Sequence, residues 1–259
     1  MHVVMADVEA AALNEAVKEV EAQGGQVQGV PTDVSSAEQV DALANAAVAS
    51  FGAVHLLCNN AGVWGGTRSG HIWEHSLQDW EWTLGVNLWG VVHGIRAFLP
   101  LMLEHGEEAH VVNTASLAGL ISGRGIYGAT KHAVVSLSES LYHDLASIEA
   151  KVGVSVLCPG LVDTQIFLAR RNRPEELRDR SLSVEEGARL GQREQALSDR
   201  LRGLPDVLLP GEVADQVLDA VRDKQFWILP HGQRFDGVLR ERFEGILDRR
   251  NPGPQIGIG

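Results

Sequence analysis

Short apolar runs rich in β-branched residues alternate along the chain with longer stretches whose apolar positions recur at helical spacing. Apolar runs without polar alternation are typical of strands buried on both faces, as in a parallel sheet covered by helices. We therefore predict six strands, over residues 2–6, 26–30, 54–58, 110–114, 152–157 and 226–229.

Amphipathic stretches between these strands predict helices over residues 9–23, 36–51, 77–103 and 126–149. A capping box, Ser35-x-x-Glu38, precedes the second of these helices, and Ser76 can cap the third. Because strands and helices alternate, right-handed crossovers would build one doubly wound α/β domain with a parallel sheet over residues 1–259.

One segment interrupts this alternation. From residue 170 to residue 203 the chain is dense in Arg and Glu, with helical spacing but little apolar periodicity. We interpret residues 165–205 as a helical excursion over the C-terminal edge of the sheet, where a substrate lid usually lies. A solvated surface insertion is the alternative.

Composition and charge limit the kind of partner. The chain carries 22 Lys and Arg against 34 Asp and Glu, a net charge of −12, and its basic residues are scattered. Nucleic-acid surfaces need clustered basic side chains, so we expect no nucleic-acid partner. The longest uncharged stretch, residues 42–67, is broken by polar residues and glycines, so we expect no membrane partner either.

The two cysteines, Cys58 and Cys158, are too few for a disulfide framework or a zinc site. The short apolar run at the N-terminus has no basic region before it and is interrupted by Asp7, so it is not typical of a signal peptide. We therefore expect a cytoplasmic protein.

Tyr127 and Lys131 lie four residues apart at the start of a predicted helix, so their side chains share one face. A phenol is a poor base near pH 7, but a nearby ammonium stabilises the phenolate and lowers its pKa. Taken alone, this spacing is common in helices and is more often structural. Ser116 lies eleven residues earlier, just beyond a strand, where open α/β sheets hold their ligands.

Two further patterns accompany this pair. Asn87 lies inside an apolar helical run, where a buried amide needs a partner. Small residues in Asn59-Asn60-Ala61-Gly62 end another strand, and Pro159-Gly160 with Thr164 follows the strand at residues 152–157. In this order and spacing, these pieces resemble the short-chain dehydrogenase/reductase family over nearly the whole chain.

The resemblance implies a Rossmann-like fold and a catalytic tetrad of Asn87, Ser116, Tyr127 and Lys131. Tyr127 would be the general acid and base, and Ser116 would orient the reacting oxygen. Lys131 would lower the pKa of the tyrosine and bind the nicotinamide ribose, while Asn87 would hold a water that relays protons.

The resemblance also implies a cofactor, NAD or NADP. Asp7 stands where a carboxylate would accept hydrogen bonds from the adenosine 2′-hydroxyl and repel a 2′-phosphate, so NAD is favoured over NADP. The implied cofactor residues are Asp7, Asp33, Val34, Asn60, Ala61, Gly62, Tyr127, Lys131, Pro159, Gly160, Val162 and Thr164.

One departure from the family pattern concerns the first strand, turn and helix. The acidic ribose ligand normally follows a glycine-rich turn by about 20 residues, yet Asp7 is the seventh residue. The sequence therefore predicts that the first strand–helix unit, central in the sheet, is absent. Its neighbours would have unpaired edges unless the strands at residues 2–6 and 54–58 close up directly. Two alternatives follow, a start codon further upstream or a cofactor-free binding module.

Two motifs imitate other sites. Gly123-x-Gly125-x-x-Gly128 has the spacing of a dinucleotide loop, but it contains Tyr127, so we assign it to the turn that enters the catalytic helix. The run from His71 to His75 fits the His-x-x-Glu-His zinc motif. A zinc site needs a stable helix and a third ligand, so we expect no metal and interpret this stretch as a loop over the substrate pocket.

The predicted function is hydride transfer between the cofactor and a small substrate, interconverting a secondary alcohol and a ketone or aldehyde. Trp64 and Trp73 lie in the loop beside the expected nicotinamide site and suit an apolar or aromatic substrate. In the family, the two long helices often pack against their copies, so the resemblance implies a homodimer or homotetramer.

Overall fold

Six strands form close to the predicted positions in the computed structural model, which describes residues 1–65, 71–178, 183–202, 204 and 206–253. They are β1 His2–Asp7, β2 Gln26–Pro31, β3 Leu56–Asn59, β4 Ala109–Thr114, β5 Val152–Leu157 and β6 Trp227–Ile228. The third strand is displaced by up to two residues from the prediction, and the last is shorter than predicted.

Within the described residues, eight α-helices connect and cover these strands. They are α1 Ala10–Ala22, α2 Ala37–Phe51, α3 Leu77–Leu84, α4 Gly90–His105, α5 Gly125–Ser147, α6 Val184–Arg202, α7 Pro210–Arg222 and α8 Asp236–Leu247. The C-terminal residues 254–259 lie outside the described part of the chain. The strand–helix order gives a single-domain, Rossmann-like α/β fold, as predicted.

All pairings between strands are parallel. Strands β3, β4, β5 and β6 form one sheet in that order, with Asn59 opposite Asn113 and Thr114 opposite Leu157. Because parallel strands share a direction, their carboxyl ends meet at one edge of the sheet. The chain segments that leave β3, β4 and β5 therefore lie side by side.

Strands β1 and β2 form a separate pair, and no hydrogen-bonded ladder joins β1 to β3 within the described residues. Direct closure of these two strands, the option that the sequence left open, does not occur. Both sheets still share one core, because Val4 and Val30 pack with Leu43 and Leu57 in a single apolar cluster. Helix α2 packs in this shared core and joins the two sheets. An open space lined by Asp7 of β1 and by Leu56 and Cys58 of β3 forms a gap between their facing edges.

Helix α2 begins at Ala37, one residue later than predicted. Ser36, not Ser35, is the N-cap, and its hydroxyl accepts a hydrogen bond from the Gln39 amide. Ser35 is occupied elsewhere, since its amide and hydroxyl both donate to the Asp33 carboxylate. The predicted capping box was therefore wrong by one residue. Ser76 does cap α3, as predicted.

The predicted helix over residues 77–103 is not a regular α-helix throughout. A π-turn at Gly85–Trp89 joins α3 to α4, and Asn87 is fully buried in it. By length and composition alone, the continuous run Leu77–His105 could cross a membrane. Core helices of globular folds pass the same test, and Phe98 and Met102 of this run are buried in the shared core.

The arginine-rich segment follows β5. Two 3₁₀ turns, Ile166–Asn172 and Glu175–Leu177, precede helix α6. Residues 179–182, 203 and 205 of the predicted excursion lie outside the described residues. Helix α6 contacts the first 3₁₀ turn, where Arg170 donates to the Gly187 carbonyl.

The gap between the sheets predicts uneven amide hydrogen exchange. In the part of the chain that the structure describes, the facing edges of β1 and β3 have no partner strand, so about half of their amides should exchange as fast as those of surface loops. The central strand β4, paired on both sides, should exchange slowly. Peptide-resolved exchange with mass spectrometry measures this, and equal protection of β1, β3 and β4 would show that β1 and β3 pair with each other in solution.

Candidate active site

Ser116 lies just beyond the end of β4, where the chain turns into a short 3₁₀ helix at Leu117–Gly119. Its hydroxyl accepts a hydrogen bond from the Ala118 amide at 3.1 Å and donates to the Pro159 carbonyl at 3.3 Å. Since Pro159 follows β5, these bonds fix the hydroxyl between the ends of two neighbouring strands.

Tyr127 is placed by an unusual turn at the start of α5. Gly123, Arg124 and Gly125 all have positive φ, at 88°, 74° and 56°. A Cβ added to Gly128 would lie 2.3 Å from the Gly123 carbonyl oxygen, so glycine is required there as well. The Gly-x-Gly-x-x-Gly pattern is thus explained by the entry into the helix, which confirms its assignment to this turn.

Lys131 lies one turn further along α5 and is buried. Its Nζ donates to the Thr114 carbonyl at 2.8 Å and lies 5.7 Å from the centre of the Tyr127 ring. Gly62, after β3, lies beside this amine, since an added Cβ would be in ordinary contact with Nζ at 3.5 Å. The predicted pair therefore shares one face of the helix and points to the sheet edge.

The Asn87 side chain ties the loop after β3 to helix α5. Its Oδ1 accepts from the Val63 amide at 2.8 Å, and its Nδ2 donates to the Val63 carbonyl at 2.9 Å and to Thr130 Oγ1 at 3.2 Å. Thr130 in turn donates to the Tyr127 carbonyl. Asn87 thus has a structural role here, and its part in a proton relay stays a prediction.

Burial dominates the electrostatics of this cluster. It raises the pKa of Tyr127 to about 12, although a side-chain hydrogen bond with Ser116 works in the opposite direction. Burial lowers the pKa of Lys131 to about 8 and raises that of the Cys158 thiol to about 12. The expectation that Lys131 lowers the tyrosine pKa stays a prediction, because burial, which disfavours the phenolate, sets the direction of the shift here.

Aromatic rings surround the phenol. The Trp64 ring lies 4.7 Å from that of Tyr127 and 4.9 Å from that of Phe167, measured between ring centres. Trp64 also lines the cavity beside the phenol, so its prediction as a pocket residue is confirmed. The prediction for Trp73 was wrong, because its side chain is 75% exposed and stacks on His71, away from the cavity.

A cavity of about 1010 Å³ connects this cluster with the end of β1. Ten of the predicted site residues line it, namely Asp7, Asn60, Gly62, Ser116, Tyr127, Lys131, Pro159, Gly160, Val162 and Thr164. The cavity thus reaches from the phenol to the carboxylate that would bind the adenosine ribose. A dinucleotide fits the donor and acceptor groups at both ends.

Four predicted site residues do not line this cavity: Asp33, Val34, Ala61 and Asn87. The Asp33 carboxylate binds Ser35, as described above for the start of α2. Val34 packs against Gly90, and its carbonyl accepts a hydrogen bond from His93. Val34 thus braces the chain after β2 against helix α4, while Asp33 holds the start of α2.

His231 is a site residue that the sequence did not indicate. Its Nδ1 accepts from the Gly160 amide at 3.2 Å, and its Nε2 donates to the Leu161 carbonyl at 3.1 Å. It therefore holds the loop after β5 in place. The sequence shows a histidine shortly after the last strand, but it does not show that this histidine contacts Gly160 and Leu161, about 70 residues earlier.

The zinc-like run has other contacts. The His71 amide donates to Glu74, which caps the 3₁₀ turn at Ile72–Glu74, and His75 faces Asp79 at 3.9 Å. Among the described residues there is no group of three or more side chains that could hold a metal ion. The preceding residues 66–70 of the predicted pocket loop lie outside the described part.

A sequence model described as short chain dehydrogenase matches residues 1–175, more than half of the chain. The chain belongs to the short-chain dehydrogenase family. The family uses NAD or NADP and acts on small molecules. The match begins at residue 1, so it does not confirm the predicted absence of a first strand.

Two curated relatives illustrate the similarity. The chain is 29% identical to the CLA biosynthesis dehydrogenase/reductase of Lactiplantibacillus plantarum, over 99% of this chain and 88% of the relative. It is 42% identical to the 1-deoxy-11-beta-hydroxypentalenate dehydrogenase of Streptomyces exfoliatus, over 62% of this chain and 58% of that relative.

Solved structures extend the comparison. A short-chain dehydrogenase/reductase from Burkholderia phymatum in complex with NAD superposes with a TM-score of 0.90 and 45% identity, covering 99% of this chain and 89% of that one. A metagenomic short-chain oxidoreductase in complex with NADP gives a TM-score of 0.56 and 30% identity, covering 63% of this chain and 72% of that one.

The raised pKa of Tyr127 can be tested in this short-chain dehydrogenase by titration. Tyr127 and Tyr142 are its two tyrosines, so a Tyr142→Phe variant reports on Tyr127 alone. Since a raised pKa favours the neutral phenol, Tyr127 should not ionise below a pH of about 10, the ordinary value for tyrosine. Ultraviolet difference spectra of the ligand-free protein measure tyrosinate. A signal present in Tyr142→Phe but missing from Tyr127→Phe at a pH of about 8 would contradict the expectation.

Proposed function

We propose that this chain is an NAD-dependent oxidoreductase that interconverts a secondary alcohol and a ketone or aldehyde. The observation that carries the proposal is the convergence of Ser116, Tyr127 and Lys131 on one cavity that continues to Asp7. A hydroxyl, a phenol and an amine at one end of a dinucleotide-sized space suit proton transfer coupled to hydride transfer.

The cofactor, when bound, accepts or supplies the hydride, and the protein handles the proton. The Ser116 hydroxyl would hydrogen-bond the substrate oxygen and hold it beside Tyr127. Burial keeps the Tyr127 phenol protonated, so its hydroxyl would donate a proton to the oxygen of a carbonyl substrate. In the direction of alcohol oxidation, Tyr127 would first release its own proton, and its phenolate oxygen would then receive the proton of the alcohol.

Lys131 and Asn87 would support this step. With a pKa of about 8, Lys131 carries a positive charge on most molecules at neutral pH, and this charge favours the phenolate when it forms. Its Nζ is also the group that would bind the nicotinamide ribose, because it lines the cavity. Asn87 would complete the tetrad through its hold on the loop after β3.

The gap between β1 and β3 supports a further part of the proposal. We propose that this gap accepts one more parallel strand, whose following turn would supply backbone amides to the diphosphate. The cavity extends to Leu56 and Cys58 of β3, which supports an opening at this edge. The amide exchange of β1 and β3 tests whether the two edges are free.

The alternative of a cofactor-free binding module is not favoured, since the similarity to dehydrogenase relatives extends over nearly the whole chain and not only over the tetrad.

The cavity also indicates a substrate class. Trp64 and Phe167 form an aromatic wall beside the Tyr127 phenol, and Ile166 and Ile121 add aliphatic surface. Such a wall favours an apolar or aromatic group on the carbon that bears the alcohol. We propose 1-phenylethanol as a first probe of this class and 2-propanol as its small counterpart.

Assembly and location are further parts of the proposal. The family generally forms oligomers, and we propose a homodimer or homotetramer through α4 and α5, supported by the exposed side chains of Trp89 and Tyr142. The molar mass of the protein in solution tests the oligomeric state.

Both cysteines are free, which supports a reducing compartment such as the cytoplasm, and cell fractionation tests this location.

Replacing the phenol tests the catalytic role. Tyr127→Phe should lower kcat for 1-phenylethanol with NAD by about a thousandfold, because it removes the proton donor and acceptor. NADH binding, followed by fluorescence, should stay within about twofold of wild type. The matched control is Tyr142→Phe, a half-exposed tyrosine on the same helix, which should keep full activity. Comparable turnover in both variants would remove Tyr127 from its role.

Asp7 tests the cofactor preference. Asp7→Ala should reduce the ratio of NADH to NADPH affinity by about tenfold, because the carboxylate that would hydrogen-bond the 2′-hydroxyl and repel a 2′-phosphate is gone. Fluorescence titration with each nucleotide measures the ratio, and Asp41→Ala, an exposed carboxylate on α2, is the control. An unchanged ratio would show that Asp7 does not select the cofactor.

A further inference from the structure

The segment of residues 166–177 forms a side wall of the cavity with little regular structure of its own. It consists of the two 3₁₀ turns after β5, and its residues Ile166, Phe167, Ala169, Arg171 and Asn172 line the cavity. Short 3₁₀ turns form poorer hydrogen bonds than α-helices. The position of this wall must therefore depend on side chains that anchor it elsewhere.

One such anchor is Arg173, whose side chain is almost completely buried. Its Nη1 lies 2.5 Å from Oδ1 of Asp79, which is itself 0% exposed. Its Nε donates to the Leu177 carbonyl at 2.7 Å, and its guanidinium lies 5.3 Å from the centre of the Trp82 ring. Arg173 thus closes the segment on itself and joins it to helix α3.

Asp79, the partner of Arg173, is held in place by hydrogen bonds at the start of α3. Its Oδ2 accepts from the Ser76 amide at 3.1 Å, and its own amide donates to Ser76 Oγ, so it belongs to the N-terminal cap of α3. Its carbonyl accepts from the Thr83 hydroxyl at 2.7 Å. Thr83 also packs against Gly65, where an added Cβ would lie 2.4 Å from its Oγ1. The anchor is therefore continuous with the loop that carries Trp64.

The anchor reaches the phenol through apolar contacts. Ala169 of the segment packs with Trp82 and Val63 in one buried cluster. Phe167 lies against Trp64, and Trp64 lies against Tyr127. A displacement of the segment would therefore move the Phe167 ring away from Trp64 and open the side of the cavity beside the phenol.

A buried ion pair adds little net stability, because removing two charges from water costs about as much as their attraction returns. Breaking it by removing one partner is expensive, since an uncompensated charge stays buried. The pair therefore suits a role in fixing geometry better than a role in stability. The neighbouring pair between Arg178 and Glu175 differs, because both of its side chains are more than half exposed.

We propose that Arg173 is a positioning residue that clamps residues 166–177 to Asp79 and so sets the aromatic wall against the larger substituent of the substrate. This inference rests on the proposed function, and it names a determinant of specificity outside the tetrad. The clamp would act on binding of bulky alcohols, not on the proton transfer itself.

The test uses a double variant, Asp79→Asn with Arg173→Met, because it leaves no unpaired charge buried and an amide oxygen can still accept from Ser76. The matched control is Arg178→Met, the same change at a solvated ion pair directly after this segment. Far-ultraviolet circular dichroism and thermal unfolding first establish that both variants are folded. Two measurements follow, amide exchange of residues 166–177 and steady-state kinetics with 1-phenylethanol and 2-propanol.

In the double variant we expect exchange of residues 166–177 to accelerate about tenfold, with β4 unchanged. We expect KM for 1-phenylethanol to rise about tenfold while kcat stays within about threefold, and KM for 2-propanol to change less than about twofold. Arg178→Met should match wild type in all of these. Arg173→Lys should fall between wild type and the double variant, because an ammonium keeps the charge but not the planar contacts.

Unchanged exchange in the double variant overturns the clamp, and faster exchange without a selective rise in KM overturns its effect on the substrate. A proportional loss with both alcohols also overturns the proposal, because general damage to the site would explain it. If wild type turns over neither alcohol with NAD, the proposed function fails separately. The exchange measurement then still decides whether Arg173 holds the segment.

Discussion

The side-chain amide of Asn87 is the contact on which the arrangement of the site depends. It holds both backbone groups of Val63 and the hydroxyl of Thr130, and so joins the end of β3, the π-turn and the start of α5. All of this lies where water does not reach, since Asn87 and Thr130 are 0% exposed. Loss of the amide would leave both backbone groups of Val63 without this partner, while Thr130 would keep its bond to the Tyr127 carbonyl.

Burial gives the cluster its chemical character as well as its rigidity. Tyr127 and Lys131 each titrate away from their ordinary values in the direction of the neutral form. The protein therefore holds an uncharged phenol beside an amine that gives up its proton more easily than a lysine in water. In a site of low polarity, any charge that arrives with a ligand acts on both groups more strongly than it would in solvent.

Local patterns predicted the strands, the helices and the Tyr127–Lys131 face, because period and spacing are properties of neighbouring residues. They failed where tertiary contacts compete. Ser35 had the spacing of an N-cap, but its hydroxyl donates to the Asp33 carboxylate, and Ser36 caps the helix instead. The pKa of Tyr127 depends on burial by residues distant in sequence. Arg173 could not be found at all, since a partner 94 residues away leaves no local signal.

The π-turn between α3 and α4 decides which way two helices face. On a straight α-helix, with about 100° per residue, Asp79 and Met102 would lie roughly 140° apart, so they could not both face the interior. The wider turn, closed by the bond from the Gly90 amide to the Gly85 carbonyl, takes up one residue and reduces this angle to roughly 40°. The π-turn therefore takes up one extra residue without rotating the two faces apart. Deleting that residue would leave a regular helix with the same angle of roughly 40°, whereas a regular helix of the present length would turn either Asp79 or Met102 out of the core.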